Sequence, residues 1–332
     1  MEKNKPKIIV IMGPTASGKS GVAIKLAQKF DGEIISADSR QIYKGLDIGS
    51  GKVCGAWSVE RGAFISEGIP HHLIDVAKPQ EDFNVSHFKK LAQEKIGEIL
   101  SRKKVPIICG GTAFWIDTLT KNSNIPEVAP NEKLRARLAK KSVEQLFTQL
   151  KKLDPVRASD IDGQNKVRLI RAIEICKVLG HVPKRETWNV ERGTENTKYE
   201  IQNTKYNFLE IGIEVPREIL NAKIKKRLDE RFAEGMTQEV ENLNEKGVSW
   251  QWLERIGLEY RWISRFLQGK IELGEMSTQG VCTSGAKQKL YFDSIHYAKR
   301  QMTWLQRNKS IIWHSDYEEI EKEVENFLEQ NT

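Results

Sequence analysis

One stretch near the N-terminus restricts the fold more strongly than any other part of the chain. It reads IIVIMGPTASGKSGVAIKLA and occupies residues 8–27. The apolar residues 8–12 are typical of a buried parallel strand, and the residues after Lys19 have helical spacing. The segment between them, GPTASGKS, fits the pattern GxxxxGK[ST] in full, in the strand–loop–helix context that the pattern requires. The stretch therefore predicts an α/β fold with a phosphate-binding loop.

The residues of this phosphate loop are suited to binding an anion. Glycines let the backbone curl so that successive N–H groups point inward, and the helix that follows adds its positive N-terminal end. Lys19 supplies a mobile positive charge, and the Ser20 hydroxyl is a natural ligand for Mg²⁺. We expect phosphate to contact the whole loop: Gly13, Pro14, Thr15, Ala16, Ser17, Gly18, Lys19 and Ser20. ATP-binding proteins share the pattern, which does not tell which compound carries the phosphates.

Strand and helix patterns alternate through the N-terminal region and resume near residue 206. The strand-like segments GEIISAD and VPIICGG are separated by the helical HFKKLAQEKIGEIL, and YNFLEIGIE is a further strand. This order predicts a P-loop NTPase-like parallel sheet with helices on both faces. A Pro- and Asn-rich exit at residues 122–132 leads into a helical, charged segment. We therefore expect a core of residues 1–121 and 195–332, with an inserted helical domain of residues 122–194.

Polar residues follow two more of the predicted strands. Asp38 ends the second strand, where open α/β sheets have their ligand crevice. A carboxylate there suits a water-mediated magnesium ligand or a general base, and a helix cap is the alternative. The turn at residues 110–112, Gly-Gly-Thr, follows another buried strand and is expected to face the same site. His71 and His72 lack a third ligand at metal spacing, so we expect them to be structural loop residues.

The charge of the chain restricts its partners. A net charge of +8 favours polyanions such as RNA, although a solvated lysine-rich surface gives the same balance. Residues 133–141, 166–177 and 217–232 are basic and helical, and residues 297–309 interleave basic with aromatic side chains, as RNA-facing helices do. For this last segment, an amphipathic helix that buries its Met and Trp side chains is the alternative. RNA is therefore a candidate partner.

Other features bear on location and assembly. No apolar run is long enough to span a membrane, and the N-terminus lacks the apolar region and cleavage site of a secretion signal. Cys54, Cys109, Cys176 and Cys282 form no CxxC pair, which argues against a disulfide framework or a zinc site. We expect a cytoplasmic protein without membrane contact. Because no association stripe is visible, we also expect a monomer.

Six motifs follow one another in an order that resembles the tRNA dimethylallyltransferase family (isopentenyl-tRNA transferases). They are GPTASGKS, EIISADSRQIYKGLDIG, PHHLIDV, GGT, RLIRAIE and YAKRQMTW, and the resemblance covers residues 8 to 313. It implies transfer of a dimethylallyl group from dimethylallyl diphosphate to N6 of adenosine 37, in the anticodon stem-loop of tRNAs that read codons beginning with U. The product would be N6-isopentenyladenosine. The resemblance also implies that the phosphate loop holds the donor's diphosphate with Mg²⁺, and that no ATP is hydrolysed.

The resemblance implies roles for single residues. Asp38 would be the general base on the adenine N6, and Thr15, Lys19 and Ser20 would hold diphosphate and magnesium. Arg227 would stabilise the departing diphosphate, whereas without the resemblance it would be taken for an exposed helical arginine. The residues on tRNA-contacting segments would be Asp38, Ser39, Arg40, Gln41, Thr112, Arg135, Val167, Arg168, Leu169, Ile170, Arg171, Glu254, Arg255, Ile256, Gly257, Leu258 and Glu259.

The chain departs from the family's pattern at several positions. Glu254 and Glu259 are acidic in a segment where the family tends to have basic residues nearby, which predicts an altered tRNA contact there. Residues 294–295 are Ser-Ile where a Thr-Arg pair is frequent. Lys223 replaces a frequent arginine and lacks its bidentate geometry. Residues 50–68 form a longer loop than expected. None of these departures affects the catalytic residues that the resemblance implies.

Three other functions compete with this interpretation. A P-loop nucleotide kinase or phosphotransferase explains the phosphate loop, but it explains neither Asp38 nor the YAKRQMTW motif. A prenyltransferase that acts on free adenine nucleotides shares the loop and the acid, and the long basic insertion favours a macromolecular acceptor instead. A non-catalytic RNA-binding protein of the same fold would not require Asp38, Lys19 and Arg227 together.

Overall fold

The structure, a computed structural model, describes residues 5–123, 125–126, 128–183, 205–276 and 285–330 of the 332-residue chain. The chain forms two compact units, one of Met1–Lys121 with Ile201–Thr332 and one of Asn122–Glu200. The predicted insertion is residues 122–194, and its predicted end lies outside the described residues. Cys282, one of the four cysteines, lies outside them as well, whereas Cys54, Cys109 and Cys176 are free thiols.

The first unit is built on one sheet. Its eight strands are β1 (Lys7–Met12), β2 (Gly32–Ser36), β3 (Ala56–Ser58), β4 (Ala63–Ser66), β5 (Ile69–His72), β6 (Val105–Gly110), β7 (Asn207–Ile213) and β8 (Ile312–His314). Their spatial order is β3-β4-β5-β2-β6-β1-β7-β8. In this spatial order, the strands β5, β2, β6, β1, β7 and β8 are each parallel to their neighbours within this series, which confirms the predicted α/β sheet. The strands β3 and β4 add an antiparallel hairpin at one edge.

This hairpin corrects one expectation from the sequence. Residues 50–68 were expected to be only a long loop, but β3 and β4 lie within them and extend the sheet. The two strands have 3 and 4 residues. Segments this short contain too few alternating positions for a strand pattern to be visible in the sequence.

The described part of the chain contains helices in both units, in the order α1 (Lys19–Lys29), α2 (Val85–Ser101), α3 (Ala113–Thr120), α4 (Glu132–Ala139), α5 (Val143–Leu153), α6 (Pro155–Asp160), α7 (Lys166–Leu179), α8 (Arg217–Ala233), α9 (Met236–Glu245), α10 (Trp250–Ile256), α11 (Leu258–Leu267), α12 (Ala286–Leu305) and α13 (Tyr317–Glu329). Among the described residues, every helix is too short or too polar to cross a lipid bilayer.

Helices cover both faces of the sheet because its central strands are apolar on both faces. In β1, Ile8 and Val10 point into a core that α2, α3, α8 and α12 share, whereas Ile9 and Ile11 point into a core shared with α1 and α13. All four of these side chains are fully buried. A strand buried on both faces has a continuous apolar run, as the sequence predicted. The phosphate loop therefore starts from the centre of the sheet.

The helix α13 on the α1 face is strongly acidic. It packs through Ile320, Val324 and Phe327, and Lys29 of α1 binds Glu321 at 2.7 Å. All of its acidic side chains are partly or fully exposed, namely Asp316 at its N-cap, Glu318, Glu319, Glu321, Glu323, Glu325 and Glu329. A negatively charged surface therefore covers part of this face in a chain whose net charge is +8.

The second unit, α4 to α7, has a core of its own. Leucines of α4, α5 and α7 form it, with Leu146, Leu150 and Leu169 all 0% exposed. The side chains of Asn131 and Asn165 cap the N-termini of α4 and α7 by accepting backbone N–H groups. These short polar residues before apolar helical patterns are the expected start signals of helices. The unit is therefore helical for reasons visible in its own sequence.

Candidate active site

The phosphate loop joins the carboxyl end of β1 to the start of α1. Ala16 and Gly18 have left-handed backbone angles, with φ of 64° and 93°. A Cβ at Gly13 would come within 2.8 Å of Ser17 Oγ and 3.3 Å of Ile213 O, so a side chain there would require Ser17 to shift. No acidic residue lies in the first turn of α1, and no side chain caps its N-terminus. Its positive end is therefore available to an anion.

Lys19 lies beside several groups that the sequence analysis named. Its Nζ donates to Pro14 O at 3.0 Å within the loop. Burial lowers the pKa of Lys19, and the positive charge of Arg227 adds to that, whereas Cys109 and Asp38 act in the opposite direction. Lys19, Asp38 and Arg227 thus lie close enough for their charges to interact, although they are far apart in sequence.

Arg227 of α8 reaches the phosphate loop. Its Nη2 donates to the Thr15 hydroxyl, and its Nε is buried without a hydrogen-bond partner among the described residues. Burial lowers the pKa of Arg227 to about 9, and the neighbouring Arg231 adds to this. The group is still charged at neutral pH. An arginine with an unused buried N–H beside a phosphate loop is suited to bind an anion, so it is not the exposed helical arginine of the alternative interpretation.

Asp38 stands directly after β2, at the carboxyl edge of the sheet. Its Oδ1 accepts the backbone N–H of Arg40 at 2.9 Å. Asp38 therefore stabilises a turn, and no helix starts there, which excludes the helix-cap alternative. The residue is partly exposed. A partly exposed carboxylate at this edge, in the field of Lys19, is placed to receive a proton from a ligand in the crevice.

The turn at residues 110–112 lies against the same segment. Thr112 Oγ1 accepts the backbone N–H of Ser39 at 3.1 Å, and the Thr112 N–H donates to Ala37 O at 3.1 Å. A Cβ at Gly110 would come within 2.2 Å of Ala37 O, so the close approach of the two strands requires glycine. The carboxyl ends of β2 and β6 are therefore joined next to Asp38.

Gln301 of α12 is a site residue that the sequence analysis missed. It is 6% exposed, and its Oε1 accepts the Thr15 N–H at 2.8 Å while its Nε2 donates to Gly111 O at 2.7 Å. The residue lies within the YAKRQMTW motif, and this position in a motif was the only available signal. The same helix buries Ala298 and Leu305, whereas Met302 and Trp304, which the amphipathic alternative placed in the core, are only partly buried.

Glu259 has a different environment from the one expected. It is 2% exposed, and its two carboxylate oxygens accept Arg40 Nη1 at 2.7 Å and Arg231 Nη1 at 2.9 Å. Burial acts to raise the pKa of Glu259, but Arg40 and Arg231 hold it below its ordinary value. The Arg40 guanidinium also lies over the Tyr297 ring of α12, 5.6 Å from its centroid.

Three of the predicted tRNA-contacting residues have almost no exposed surface. Leu169 is in the core of the helical unit, Gly257 is buried between α10 and α11, and Glu259 forms the buried ion pairs. The side chains of Leu169 and Glu259 therefore lie inside the protein and Gly257 has none, and a contact of these three residues with tRNA stays a prediction. Val167, by contrast, is 77% exposed, and Arg168 is exposed as well.

The other members of the predicted tRNA-contacting set are at least partly exposed. Arg135 and Arg171 bind Glu174 in the helical unit. Glu254 binds Arg265 and Lys270, and the hydrogen bond from Lys270 is the main reason that the pKa of Glu254 falls to about 2. The remaining members are partly or fully exposed as whole residues, although the side chain of Arg40 is only 11% exposed: Ser39, Arg40, Gln41, Thr112, Ile170, Arg255, Ile256 and Leu258.

The two adjacent histidines are in a strand and not in the expected loop. His71 and His72 end β5 and are 3% and 5% exposed. His72 Nε2 lies 2.7 Å from Glu33 Oε2, and Glu33 also binds Arg102. Burial lowers the pKa of His71 to about 4, so it is neutral at physiological pH. The described residues contain no cluster of three or more His, Cys, Asp or Glu that would hold a metal ion by themselves.

Comparisons of sequence identify the relatives of the chain. The profile of the family described as IPP transferase matches residues 41–308, and that of isopentenyl transferase matches residues 6–65. The tRNA dimethylallyltransferase of Thermomicrobium roseum is 35% identical over 100% of this chain and 94% of its own length. That of Acetivibrio thermocellus is 38% identical over 96% of this chain and 95% of its own length.

Solved structures show the same relationship. The tRNA delta(2)-isopentenylpyrophosphate transferase of Staphylococcus epidermidis is 34% identical, with a TM-score of 0.63 over 98% of this chain and 100% of that one. A eukaryotic dimethylallyltransferase acting on tRNA has a TM-score of 0.72 at 24% identity, over 98% of this chain and 80% of that one, and shows the likeness of fold. The phosphate loop, the sheet and the full-length matches agree, and the chain belongs to the IPP transferase family, that of the tRNA dimethylallyltransferases.

Proposed function

We propose that the chain transfers a dimethylallyl group from dimethylallyl diphosphate to N6 of adenosine 37, in tRNAs that read codons beginning with U, to give N6-isopentenyladenosine. The observation that carries the proposal is the placement of Asp38. This carboxylate lies at the edge of the sheet within the field of Lys19 and Arg227, beside a phosphate loop. An acid and an anion-binding loop side by side suit a reaction in which a diphosphate leaves while a proton is removed.

The donor side of the reaction uses the phosphate loop. In the transfer, the bond between the allylic carbon and the diphosphate oxygen breaks, and negative charge develops on the leaving group. The N–H groups at the start of α1, Lys19 and the guanidinium of Arg227 stabilise that charge because they are already held in place. This charge stabilisation is the main contribution of the protein to the departure of the diphosphate.

The acceptor side uses Asp38. An exocyclic adenine amine is a poor nucleophile, since its lone pair is delocalised into the ring. As the bond between N6 and the allylic carbon forms, N6 loses a proton, which the Asp38 carboxylate accepts. The backbone N–H of Arg40 fixes one oxygen of that carboxylate. Adenosine 37 must leave the anticodon stack to reach this carboxylate, as in other enzymes that modify a base.

The residues present fit a magnesium ion that is bound together with the diphosphate. Ser20 offers one hydroxyl at the first turn of α1, and the described residues offer no all-protein cage. Mg²⁺ commonly binds through one or two protein oxygens, with phosphate oxygens and water as its other ligands. When bound, the ion would neutralise charge on the diphosphate.

The acceptor is proposed to be the anticodon stem-loop of tRNA. The helical unit exposes Lys133, Arg137, Lys140, Arg168 and Lys177, whose charges suit contacts with the phosphates of an RNA. The names of the relatives support tRNA as the substrate. We further propose that the protein acts as a cytoplasmic monomer, in keeping with the charge and the absence of a spanning helix among the described residues.

A direct assay tests the proposal and its alternatives. The protein is incubated with dimethylallyl diphosphate, Mg²⁺ and undermodified tRNA whose anticodon loop carries A36-A37-A38, and the digested tRNA is analysed for N6-isopentenyladenosine by mass spectrometry. We expect product with tRNA and none with free AMP or ADP as the acceptor. Phosphate release from ATP without any prenylated product would indicate a phosphotransferase. Product with AMP but not with tRNA would indicate a prenyltransferase of free nucleotides.

A further inference from the structure

Gln301 joins three parts of the first unit that are far apart in sequence. It belongs to α12, its Oε1 accepts the backbone N–H of Thr15 in the phosphate loop, and its Nε2 donates to the carbonyl of Gly111. The two hydrogen bonds are 2.8 Å and 2.7 Å long, and the side chain is 6% exposed. Both ends of the amide are therefore used inside the protein, at the place where the phosphate loop meets the turn at residues 110–112.

Thr15 is held from two sides. Gln301 binds its backbone N–H, and Arg227 of α8 binds its hydroxyl. The next residue, Ala16, has φ of 64°, a left-handed conformation that costs a non-glycine residue roughly 1–2 kcal/mol. Such a conformation persists only where the surroundings determine it. The two contacts at Thr15 are the part of these surroundings that lies immediately before the strained residue.

The chemistry of glutamine suits this position. The amide offers one acceptor and one donor, which match the N–H of Thr15 and the carbonyl of Gly111. An apolar side chain of similar size would leave the buried carbonyl of Gly111 and the partly buried N–H of Thr15 without partners, at a cost in each case. A glutamate would direct a second acceptor at the carbonyl of Gly111 and would add a negative charge next to the phosphate loop.

Tyr297 shows that the same face of α12 also reaches the acceptor side. It precedes Gln301 by four residues, so the two side chains lie on one face of the helix. Its ring lies under the Arg40 guanidinium, and the backbone N–H of Arg40 holds Asp38. The helix thus contacts both the phosphate loop and the turn that carries Asp38.

We propose that Gln301 is a positioning residue that fixes the phosphate loop in the conformation that binds diphosphate. This inference rests on the proposed function, since it takes diphosphate to be the ligand of the loop. Gln301 acts through the backbone of Thr15 and does not itself touch the ligand. Its loss therefore weakens diphosphate binding while the tRNA-binding surface stays as it is.

The test compares the wild-type protein with Gln301→Met, whose side chain has a similar volume but forms neither of the two hydrogen bonds. The titrant is inorganic diphosphate with Mg²⁺, followed by calorimetry. We expect the dissociation constant to rise by about tenfold, as the loss of one buried and one partly buried hydrogen bond suggests. In steady-state assays, the KM for dimethylallyl diphosphate should rise by a similar factor, and the dissociation constant for tRNA should stay within about twofold of wild type.

Two further variants keep the test decisive. Trp304→Phe removes another hydrogen bond of α12, a partly buried one from Nε1 to Asp117 Oδ2 at 2.7 Å, and serves as the matched control. It should leave the affinity for diphosphate unchanged, with a thermal shift similar to that of Gln301→Met. Gln301→Glu keeps the bond to Thr15 but adds a charge, and it should bind diphosphate more weakly than Gln301→Met.

The outcomes separate this inference from the proposed function. If the wild type binds diphosphate and both Gln301 variants bind it within about twofold of wild type, Gln301 has no positioning role. An equal loss of diphosphate affinity in Trp304→Phe would show that general packing of α12 is responsible, and it would also overturn the inference. If the wild type itself fails to bind diphosphate, the proposed function fails together with it.

Discussion

Two buried glutamates have similar partners and different surroundings. Glu259 of α11 and Glu174 of α7 are 2% and 1% exposed, and each binds two arginines. Burial acts to raise the pKa of both carboxyls, and the arginines hold each pKa below its ordinary value. The arginines themselves differ. Those of Glu259, which are Arg40 and Arg231, have side chains 11% and 7% exposed, whereas both arginines of Glu174 are 35% exposed.

The difference in the exposure of the arginines indicates that the two buried glutamates have different roles. In the first unit, Glu259 neutralises arginines inside the protein, and one of these, Arg40, holds Asp38 through its backbone. In the helical unit, Glu174 anchors arginines whose outer edges still face solvent. The first cluster therefore lies inside the protein beside the turn that carries Asp38, whereas the arginines of the second cluster remain partly exposed to solvent.

Removing the carboxylate at the reaction site gives the largest expected effect. Asp38→Ala leaves the ion pair between Arg40 and Glu259 intact, so the fold around it should be kept. We expect prenyl transfer to slow by about 10²–10⁴-fold, the usual contribution of a positioned general base. Single-turnover assays measure the rate, and filter binding should show tRNA affinity near that of the wild type. Transfer at an unchanged rate would show that Asp38 is not the base.

Neutralising the buried acid of the first cluster should affect stability most. Glu259→Gln leaves two buried arginines without their counter-charge, and we expect the free energy of unfolding to fall by about 3–5 kcal/mol. Urea denaturation followed by circular dichroism measures the loss. The control is Glu254→Gln, which removes ion pairs at a more exposed side chain and should cost no more than about 1 kcal/mol. Equal losses in the two variants would contradict the distinction.

The matching change in the helical unit should cost less. After Glu174→Gln, the two arginines still reach water, so we expect a loss of about 1–3 kcal/mol in the free energy of unfolding. In addition, tRNA affinity should change, while the turnover number at saturating tRNA stays near that of the wild type. A larger loss than that of Glu259→Gln, under the same conditions, would reverse the comparison.

Acidification should reduce the contribution of Glu174 to stability. The pKa of Glu174 is lowered in the folded protein, so its contribution to stability is present above its unfolded value of about 4.3 and is lost as the pH falls through the folded value. The difference in unfolding free energy between the wild type and Glu174→Gln should therefore shrink from pH 7 to pH 3. A difference that stays constant over this range would mean that the charge of Glu174 adds no stability.

A single exposed cation gives the smallest expected effect. Arg168→Ala removes one charge from the helical unit, and we expect a modest loss of tRNA affinity with a decrease of about 1 in the slope of log K against log salt. Fluorescence anisotropy at several salt concentrations measures the slope. The control Lys322→Ala removes a cation from the acidic helix α13 and should leave the slope unchanged. Equal changes in both variants would mean that net charge alone determines the binding.

Local sequence patterns were sufficient to predict the strand, the phosphate loop and the helix that form the site. The apolar run of β1, the GxxxxGK[ST] pattern and the helical spacing of α1 are neighbours in sequence, and so their geometry is encoded within one stretch of the chain. Asp38 was placed correctly at the end of a strand, because parallel strands end at one edge of the sheet. The start signals of α4 and α7 are local in the same sense.

Long-range contacts could not be predicted in the same way. Glu259 lies 219 residues from Arg40, and Gln301 lies 286 residues from Thr15. A glutamate two residues after a glycine and a glutamine on a helix have no local feature that distinguishes a buried role from an exposed one. Glu259 was therefore assigned to a tRNA contact, and Gln301 was not assigned at all. Such roles depend on the tertiary packing, which no short pattern contains.

The acidic helix α13 has a consequence for how RNA approaches the first unit. Its negative side chains cover part of the α1 face of the sheet, in a chain whose net charge is +8. The electrostatic potential around the unit is therefore uneven, and an approaching polyanion experiences a torque before it makes contact. Collisions on the acidic face are disfavoured, so a larger share of diffusional encounters begins on the other surfaces. We therefore expect α13 to direct encounters with RNA away from this face of the sheet.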